Sequence, residues 1–329
     1  MQRVMEHSES CLTPTALEKS MYGDNIEVVS RSPACKIYRL TDAPEESRIT
    51  AYTVFPGIQI VYRDIHSPNC LIRQKTTDVI LEISHCREGR LEYEADDNCC
   101  YLMPGDIAIL HRHGTDYSTL FPLHHYHGIS VIVDLSETPR CLSCFLADVT
   151  VSPHELADKF CSARPFFVAR SGAGIEHIFS ELYQVPEELK QGYFKVKVLE
   201  LMLFLTALSI DTDETPLKSC PRPHVILAKN VHQYLTEHIS DRITLEQLSS
   251  VFHISGTTIK NSFKTVYGVS VYNFIRTKKM QMAAEILLHS DLTIMDIAGQ
   301  FGYDNASKFS GAFRDVMGLS PGEYRNSRK

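Results

Sequence analysis

The sequence lacks any apolar run long enough to span a bilayer. Its longest, Val198 to Ile210, is 13 residues and carries Glu200, where a membrane helix needs roughly 20. The opening MQRVMEHSES holds no apolar signal core, which predicts a cytoplasmic protein without a membrane partner. A reducing compartment would leave the ten cysteines as thiols rather than a disulfide framework. Also missing are a phosphate-cradling glycine loop, a kinase signature and any Ser/His/Asp order suited to nucleophilic catalysis. No catalytic residue is assigned, and an enzyme is not expected. Zinc spacing is absent too: Cys141-x-x-Cys144 stands alone, and vicinal Cys99-Cys100 reads as small apolar residues at a strand edge. The sequence therefore predicts no metal and no cofactor.

Charge is present but unevenly divided. At 329 residues and 37.3 kDa, with 43% hydrophobic and 22% charged residues, the chain has globular composition and the length of two domains. Its net charge of −7, taken whole, argues against nucleic acid. Residues 222–329, however, hold 13 Lys+Arg against 9 Asp+Glu, a net +4, while residues 1–221 hold 20 against 31, a net −11. An acidic front and a basic back predict two parts with different partners.

From Ile26 to about Leu135 the pattern favours strands. Ile58–Tyr62, Val79–Ile83, Arg90–Tyr93, Asp106–Leu110 and Gly128–Asp134 are short, rich in β-branched residues and separated by Ser-Pro-Asn, Glu-Gly, Asp-Asp-Asn and Pro-Gly-Asp turns. Such spacing predicts an all-β sandwich or barrel. After residue 153 the period becomes helical: Pro153–Phe160 with Ser152 as N-cap, Ile175–Tyr183, and 192–210. In the last of these Phe194, Val198, Leu201, Leu205 and Leu208 form one stripe, with Val196, Leu199 and Leu203 beside it. A helix apolar nearly all round is buried, against the barrel or in a subunit interface. Residues 211–223, with three prolines, read as a linker.

The tail repeats itself. Thr244-Leu245-x-x-Leu248-x-x-x-Phe252 aligns with Thr293-Ile294-x-x-Ile297-x-x-x-Phe301. After one extra residue in the second copy, Ser255-x-x-x-Ile259-x-x-x-Phe263-Lys264 aligns with Asn305-x-x-x-Phe309-x-x-x-Phe313-Arg314. Each copy predicts a two-turn helix, a tight turn, and a second helix opened by a cap residue. Four-residue apolar spacing puts one face of that helix on the core. The other face presents Thr257, Thr258, Lys260, Asn261 and Lys264 in copy one, and Ser307, Lys308, Gly311 and Arg314 in copy two. This is the helix-turn-helix plan. Val271–His289 between the copies predicts a rigid helical spacer, able to set two recognition helices in successive major grooves about 34–36 Å apart.

With Phe263-Lys264-x-x-x-Gly268, Ala283-x-x-Ile286-Leu287, Ile297-Ala298-x-x-x-Gly302-Tyr303 and Gly318-Leu-Ser-Pro321-x-x-Tyr324-Arg325, residues 224–326 resemble the DNA-binding domain of the AraC family of bacterial transcription regulators. The resemblance implies that Thr257, Thr258 and Asn261 face bases in one groove, and Ser307, Lys308 and Gly311 in the next. It places Lys264 and Arg314 at phosphates, with Lys260 and Asn305 completing the interface. Family members often carry Arg where Asn261, Gly311 and Lys279 stand. That removes the bidentate guanine contact from both readers and leaves Asn261 suited to adenine. The implied partners are double-stranded promoter DNA, a small-molecule effector, RNA polymerase as for an activator, and a second copy of the chain as homodimer.

His111, His113, His124, His125 and His127 flank the turn Tyr101-Leu-Met-Pro-Gly-Asp106, which resembles an element of cupin-like barrels. His111, His113 and His127 are the candidate effector contacts; the usual first cupin motif, His-x-His followed by Glu, is absent upstream. The full expectation is an α+β chain. Residues 1–153 form a cupin-like β-sandwich or barrel that binds the effector, 154–210 a helical dimerisation region, 211–223 a linker, and 224–329 an all-α double helix-turn-helix domain. The competing reading is a cupin-type metal-dependent enzyme, or a metal or redox sensor, carrying a DNA-binding tail.

Overall fold

The computed structural model describes residues 13–43, 46–67, 71–75, 79–95, 98–112, 116–142, 149–162, 166–208, 220–241 and 243–327. It divides into two units, Met1–Ser219 and Cys220–Lys329; the architecture is α+β. The division falls within 211–223, of which residues 211–219 lie outside the described residues.

The described part of the first unit begins with helix α1 (Ala16–Tyr22), opened by a capping box between Thr15 and Glu18. Its strands are β1 (Ile26–Arg31), β2 (Cys35–Leu40), β3 (Arg48–Phe55), β4 (Ile58–His66), β5 (Leu71–Lys75), β6 (Ile80–Gly89), β7 (Leu91–Ala95), β8 (Asn98–Leu102), β9 (Asp106–Arg112), β10 (Asp116–Leu120), β11 (His125–Asp134) and β12 (Phe166–Arg170). One antiparallel sheet runs β1-β2-β3-β4-β11-β6-β9-β12, and a second runs β8-β7-β10-β5. Strand β6 is buried from Ile80 through Cys86 because both faces of the large sheet are covered. On the inner face Val61, Ile65, Ile80, Ala108, Tyr126 and Ile132 meet Leu91, Tyr93 and Leu102 of the small sheet. On the outer face Ile58, Ile60, Leu81, Ile83, Ile107, Ile129 and Val131 meet helices α2 (Pro153–Cys161), α3 (Ala173–Leu182) and α4 (Lys190–Ala207). The β-region expected between Ile26 and Leu135 is present.

Ser152 caps α2, accepting from Glu155 N. Two expectations need correction. Region 154–210 is not wholly helical: Phe166–Arg170 pairs with β9, Phe166 opposite Leu110, because this aromatic, β-branched segment completes the sheet edge. Nor is the third helix buried all round. Phe194, Val198, Leu201 and Leu205 are in the core, but Val196 is 61% exposed and Phe204 45%.

The second unit is all-α: α5 (Arg222–Glu237), α6 (Leu245–Phe252), α7 (Gly256–Tyr267), α8 (Val271–His289), α9 (Ile294–Gln300), α10 (Ala306–Met317) and α11 (Pro321–Asn326). Helix α5 starts inside the expected linker. Both short helices open with capping boxes, Thr244 with Gln247 and Thr293 with Asp296. Ser255 and Asn305 cap the helices that follow, and Gly268 and Gly318 end them in the left-handed conformation. The long α8 packs Met280, Ala283, Ala284 and Leu287 against Ile297, Phe309 and Phe313.

Candidate functional site

Each two-helix element of the C-terminal unit turns sharply after a buried or half-buried phenylalanine. His253 follows Phe252 at φ +53°, and Gly302 follows Phe301 at φ +78°, so both turns reverse through a left-handed residue although the second is one residue longer. Gly256 opens α7 where a Cβ would come within 2.9 Å of Leu245. That close approach seats the second helix on the first.

Helix α7 buries Ile259, Ser262, Phe263, Val266 and Tyr267. Thr257, Lys260, Asn261 and Lys264 are exposed and, at 3.6 residues per turn, fall within an arc of about 100° on the opposite side. In α10 Phe309, Ala312 and Phe313 are buried, while Ser307, Lys308, Gly311 and Arg314 are exposed. Two of the expected contacts have a structural task. Asn305 Oδ1 accepts from the backbone N–H of Ser307 (2.7 Å) and Lys308 (3.4 Å). Half-buried Thr258 places its hydroxyl 2.9 Å from the Ser255 hydroxyl. Nothing lies within 4 Å of a Cβ added at Gly311, so the second face has an open gap at its centre.

The spacer carries a residue whose task the sequence did not reveal. Lys279 is buried, and its Nζ donates to the carbonyls of Asp241 (3.2 Å) and Phe301 (3.3 Å). It thereby links the segment before the first element to the turn of the second. Burial pushes its ammonium down from the ordinary lysine range, against the opposing charge of Asp241. A salt bridge from Arg276 on α8 to Asp315 fixes α10 to the same spacer.

In the N-terminal unit the interior between the sheets is polar at its centre. Arg63 and Arg112 flank Glu82, at 2.8 and 2.5 Å. Ser84 donates to Glu82 at 3.0 Å, and Tyr93 donates to Ser84 at 3.2 Å. Burial alone would raise the Glu82 pKa, but the two guanidinium groups outweigh it and hold the carboxyl at about 2. On the outer face a cavity of about 370 Å³ is lined by Tyr52, Tyr62, Tyr183, Arg87, Lys190 and His127, among others. Lys190 lies 4.8 Å from the Tyr52 ring centre and Arg87 4.5 Å from that of Tyr183.

Of the histidines expected as effector contacts, His111 and His127 lie far apart on the sheet. His113 lies outside the described residues. His111 is opposite Leu81 on β6, whereas His127 is opposite Glu88; seven residues along one strand separate them by roughly 23 Å. The structure instead joins His125 and His127 to His66 of β4, which the sequence reading missed. The available signal was the matching two-residue spacing of Asp64-x-His66 and His125-x-His127, which puts all four side chains on one face when the strands pair. Cys144 also lies outside the described residues. Cys99 and Cys100 are buried, and burial pushes the Cys100 thiol up to about 12, far from the reactive thiolate range.

Comparison with known proteins follows the same division. Residues 248–327 match the family model described as a helix-turn-helix domain. The regulatory protein PocR of Salmonella typhimurium is 31% identical over 105 residues, 32% of this chain and 35% of its own length. The MmsAB operon regulatory protein of Pseudomonas aeruginosa is 32% identical over 153 residues, 46% of this chain and 49% of its own. The chain thus spans about a third to a half of the length of these curated relatives. Among solved structures, the C-terminal domain of AraT, a response regulator from Geobacillus stearothermophilus, is 34% identical, covering 31% of this chain and 85% of that one with a TM-score of 0.30.

Proposed function

We propose that the carboxy-terminal unit, whose residues 248–327 match a helix-turn-helix domain, is of the AraC type, and that the chain is a sequence-specific transcription regulator whose N-terminal unit binds a small-molecule effector. One observation carries the reading: two consecutive helix-turn-helix elements each expose a polar and basic arc opposite a buried one. Asn261 reads a base edge, Thr257 and Ser307 support it, and Lys260, Lys264, Lys308 and Arg314 contact phosphates. A net +4 over residues 222–329 is modest for DNA binding by charge alone, so affinity depends on occupying two grooves. The outer-face cavity, aromatic-walled and cationic, is the effector site in this reading; its volume lies in the small-ligand range.

We further propose a homodimer through α4. On α4 Val196, Leu199 and Leu203 recur at three and four residues, the spacing of a coiled-coil seam, in line with Leu189 just before the helix; Leu189 and Val196 are exposed, and Leu199 and Leu203 are half-buried against the unit's own core. Effector binding then shifts the population of dimer arrangements, and with it promoter occupancy and polymerase recruitment.

The test is anisotropy titration of the full chain on DNA upstream of its own gene, across a range of salt. Asn261→Ala lowers affinity about 5- to 150-fold and relaxes preference at one base pair. Lys264→Ala weakens every sequence alike and reduces the salt slope by about 1. Binding without sequence preference, or unaffected by both variants, overturns the reading.

A further inference from the structure

Strands β4 and β11 pair in a register that sets His66 directly opposite His125 and Asp64 directly opposite His127. Residues two apart share a face of a strand, so all four side chains emerge from the outer surface of the large sheet. Adjacent β6 adds Glu88, opposite His127. The three imidazole rings are mutually adjacent, with centres 5.2 Å (His66–His125), 5.1 Å (His66–His127) and 4.6 Å (His125–His127) apart. One ligand nitrogen from each can be chosen so that all three lie within 4.8 Å of one another.

Asp64 points into this group. Its Oδ1 lies 2.7 Å from His66 Nε2 and 3.0 Å from His127 Nε2. Asp64 Oδ1 and His127 Nε2 are both shielded from solvent, and neither takes part in a hydrogen bond: the atoms approach without the alignment that a hydrogen bond requires. Orphaned acceptor and nitrogen atoms at such range are unfavourable in the absence of a shared partner. Glu88 Oε2, 3.5 Å from His125 Nε2, adds negative charge at the rim. All three rings are half-buried, which leaves the group open to an entering ion.

We propose that His66, His125 and His127, with Asp64 as the fourth ligand, form a binding site for a divalent first-row transition ion. Three imidazoles and one carboxylate make a borderline-soft donor set, suited to Zn²⁺ and its neighbours rather than to Ca²⁺ or Mg²⁺, which take oxygen ligands. The site differs from the interior of the β-domain, where Arg63 and Arg112 crowd Glu82 and would repel a cation. It also differs from the sequence expectation of no metal, which weighed His111 and His113 without His66. The site borders the cavity proposed for the effector, sharing Asp64 and His127 with its lining, but it requires nothing of the C-terminal unit and its metal titration is read without DNA or effector.

The experiment uses the full chain after chelator treatment, titrated with Co²⁺ alone and followed by its visible ligand-field absorption and by calorimetry. One equivalent binds, with the intense bands of four-coordinate nitrogen–oxygen ligation. His66→Ala and His125→Ala each weaken binding at least about tenfold, and the double variant abolishes the bands. His111→Ala, distant along the sheet, leaves the titration unchanged. Because a variant could fail to fold, thermal unfolding with and without Zn²⁺ accompanies each titration. Zn²⁺ raises the Tm of the parent chain and leaves that of the folded double variant where it was. Absence of stoichiometric binding by the parent chain, or Co²⁺ bands and a Zn²⁺-induced Tm rise that persist in the double variant, overturns the assignment.

Discussion

His253 holds a conformation that a side chain disfavours. At φ +53° its Cβ crowds the following carbonyl, a cost of about 1–2 kcal/mol, while the second element uses Gly302 at the matching place after Phe301. Replacing His253→Gly should therefore stabilise the C-terminal unit, by roughly 0.5–1 kcal/mol once the greater freedom of glycine in the unfolded chain is counted. A denaturant midpoint that moves down would refute this. The alignment of Phe252 with Phe301 and the extra residue of the second copy were legible in the sequence. The left-handed turn was not, because histidine visits positive φ more often than most side chains but far less readily than glycine. Cap residues were more transparent. Ser152, Ser255 and Asn305 each precede an amphipathic run, and a hydroxyl or amide oxygen there has few competing uses. His66 stayed hidden for the opposite reason: its partners are about sixty residues away in sequence, and only strand register brings them together.

Among the elements, α4 and α8 are both long and apolar, yet their apolar surfaces serve different purposes. Helix α8 encloses Lys279 and holds two helix-turn-helix elements at a fixed separation; its 19 residues span roughly 28 Å. Helix α4 buries one stripe and leaves Val196 at the surface, with exposed Leu189 just before its first residue. Periodicity distinguished these stripes, but whether a second stripe is covered depends on what packs beside it, which no single helix encodes. Val196→Glu places a charge in the proposed seam while leaving the buried stripe intact. Sedimentation should then show a monomer that keeps the parent chain's Tm to within a few degrees. A dimer that survives the substitution excludes α4 as the interface. Strand β12 is the element the helical pattern concealed, since five residues between helices gain their identity from the open edge of β9.

Across the whole molecule the two units carry opposite charge, and their responses to acid should differ. The Glu82 carboxyl, held at about 2 against an ordinary 4.5, adds stability that is fully present above about pH 4.5 and is lost as pH falls toward 2. Glu18 behaves alike. Burial would raise its pKa, but the Thr15 N–H and the Lys36 ammonium hold it at about 2. The N-terminal unit should therefore lose Tm steeply below pH 4.5. Glu82→Gln should flatten that slope while costing about 3–5 kcal/mol at neutral pH, because it strands two buried guanidinium groups; an unchanged slope would count against the triad. The charge division along the sequence marks this organisation, although a net charge cannot report a carboxylate enclosed between arginines. One feature of the C-terminal unit reaches beyond the protein itself. On the proposed reading its two recognition helices are unequal, one presenting Asn261 and the other an open Gly311, so the stretch of DNA that one copy occupies has a direction. Such a half-site is not its own inverse: reversing it keeps its sequence and affinity but turns the copy bound to it to face the other way.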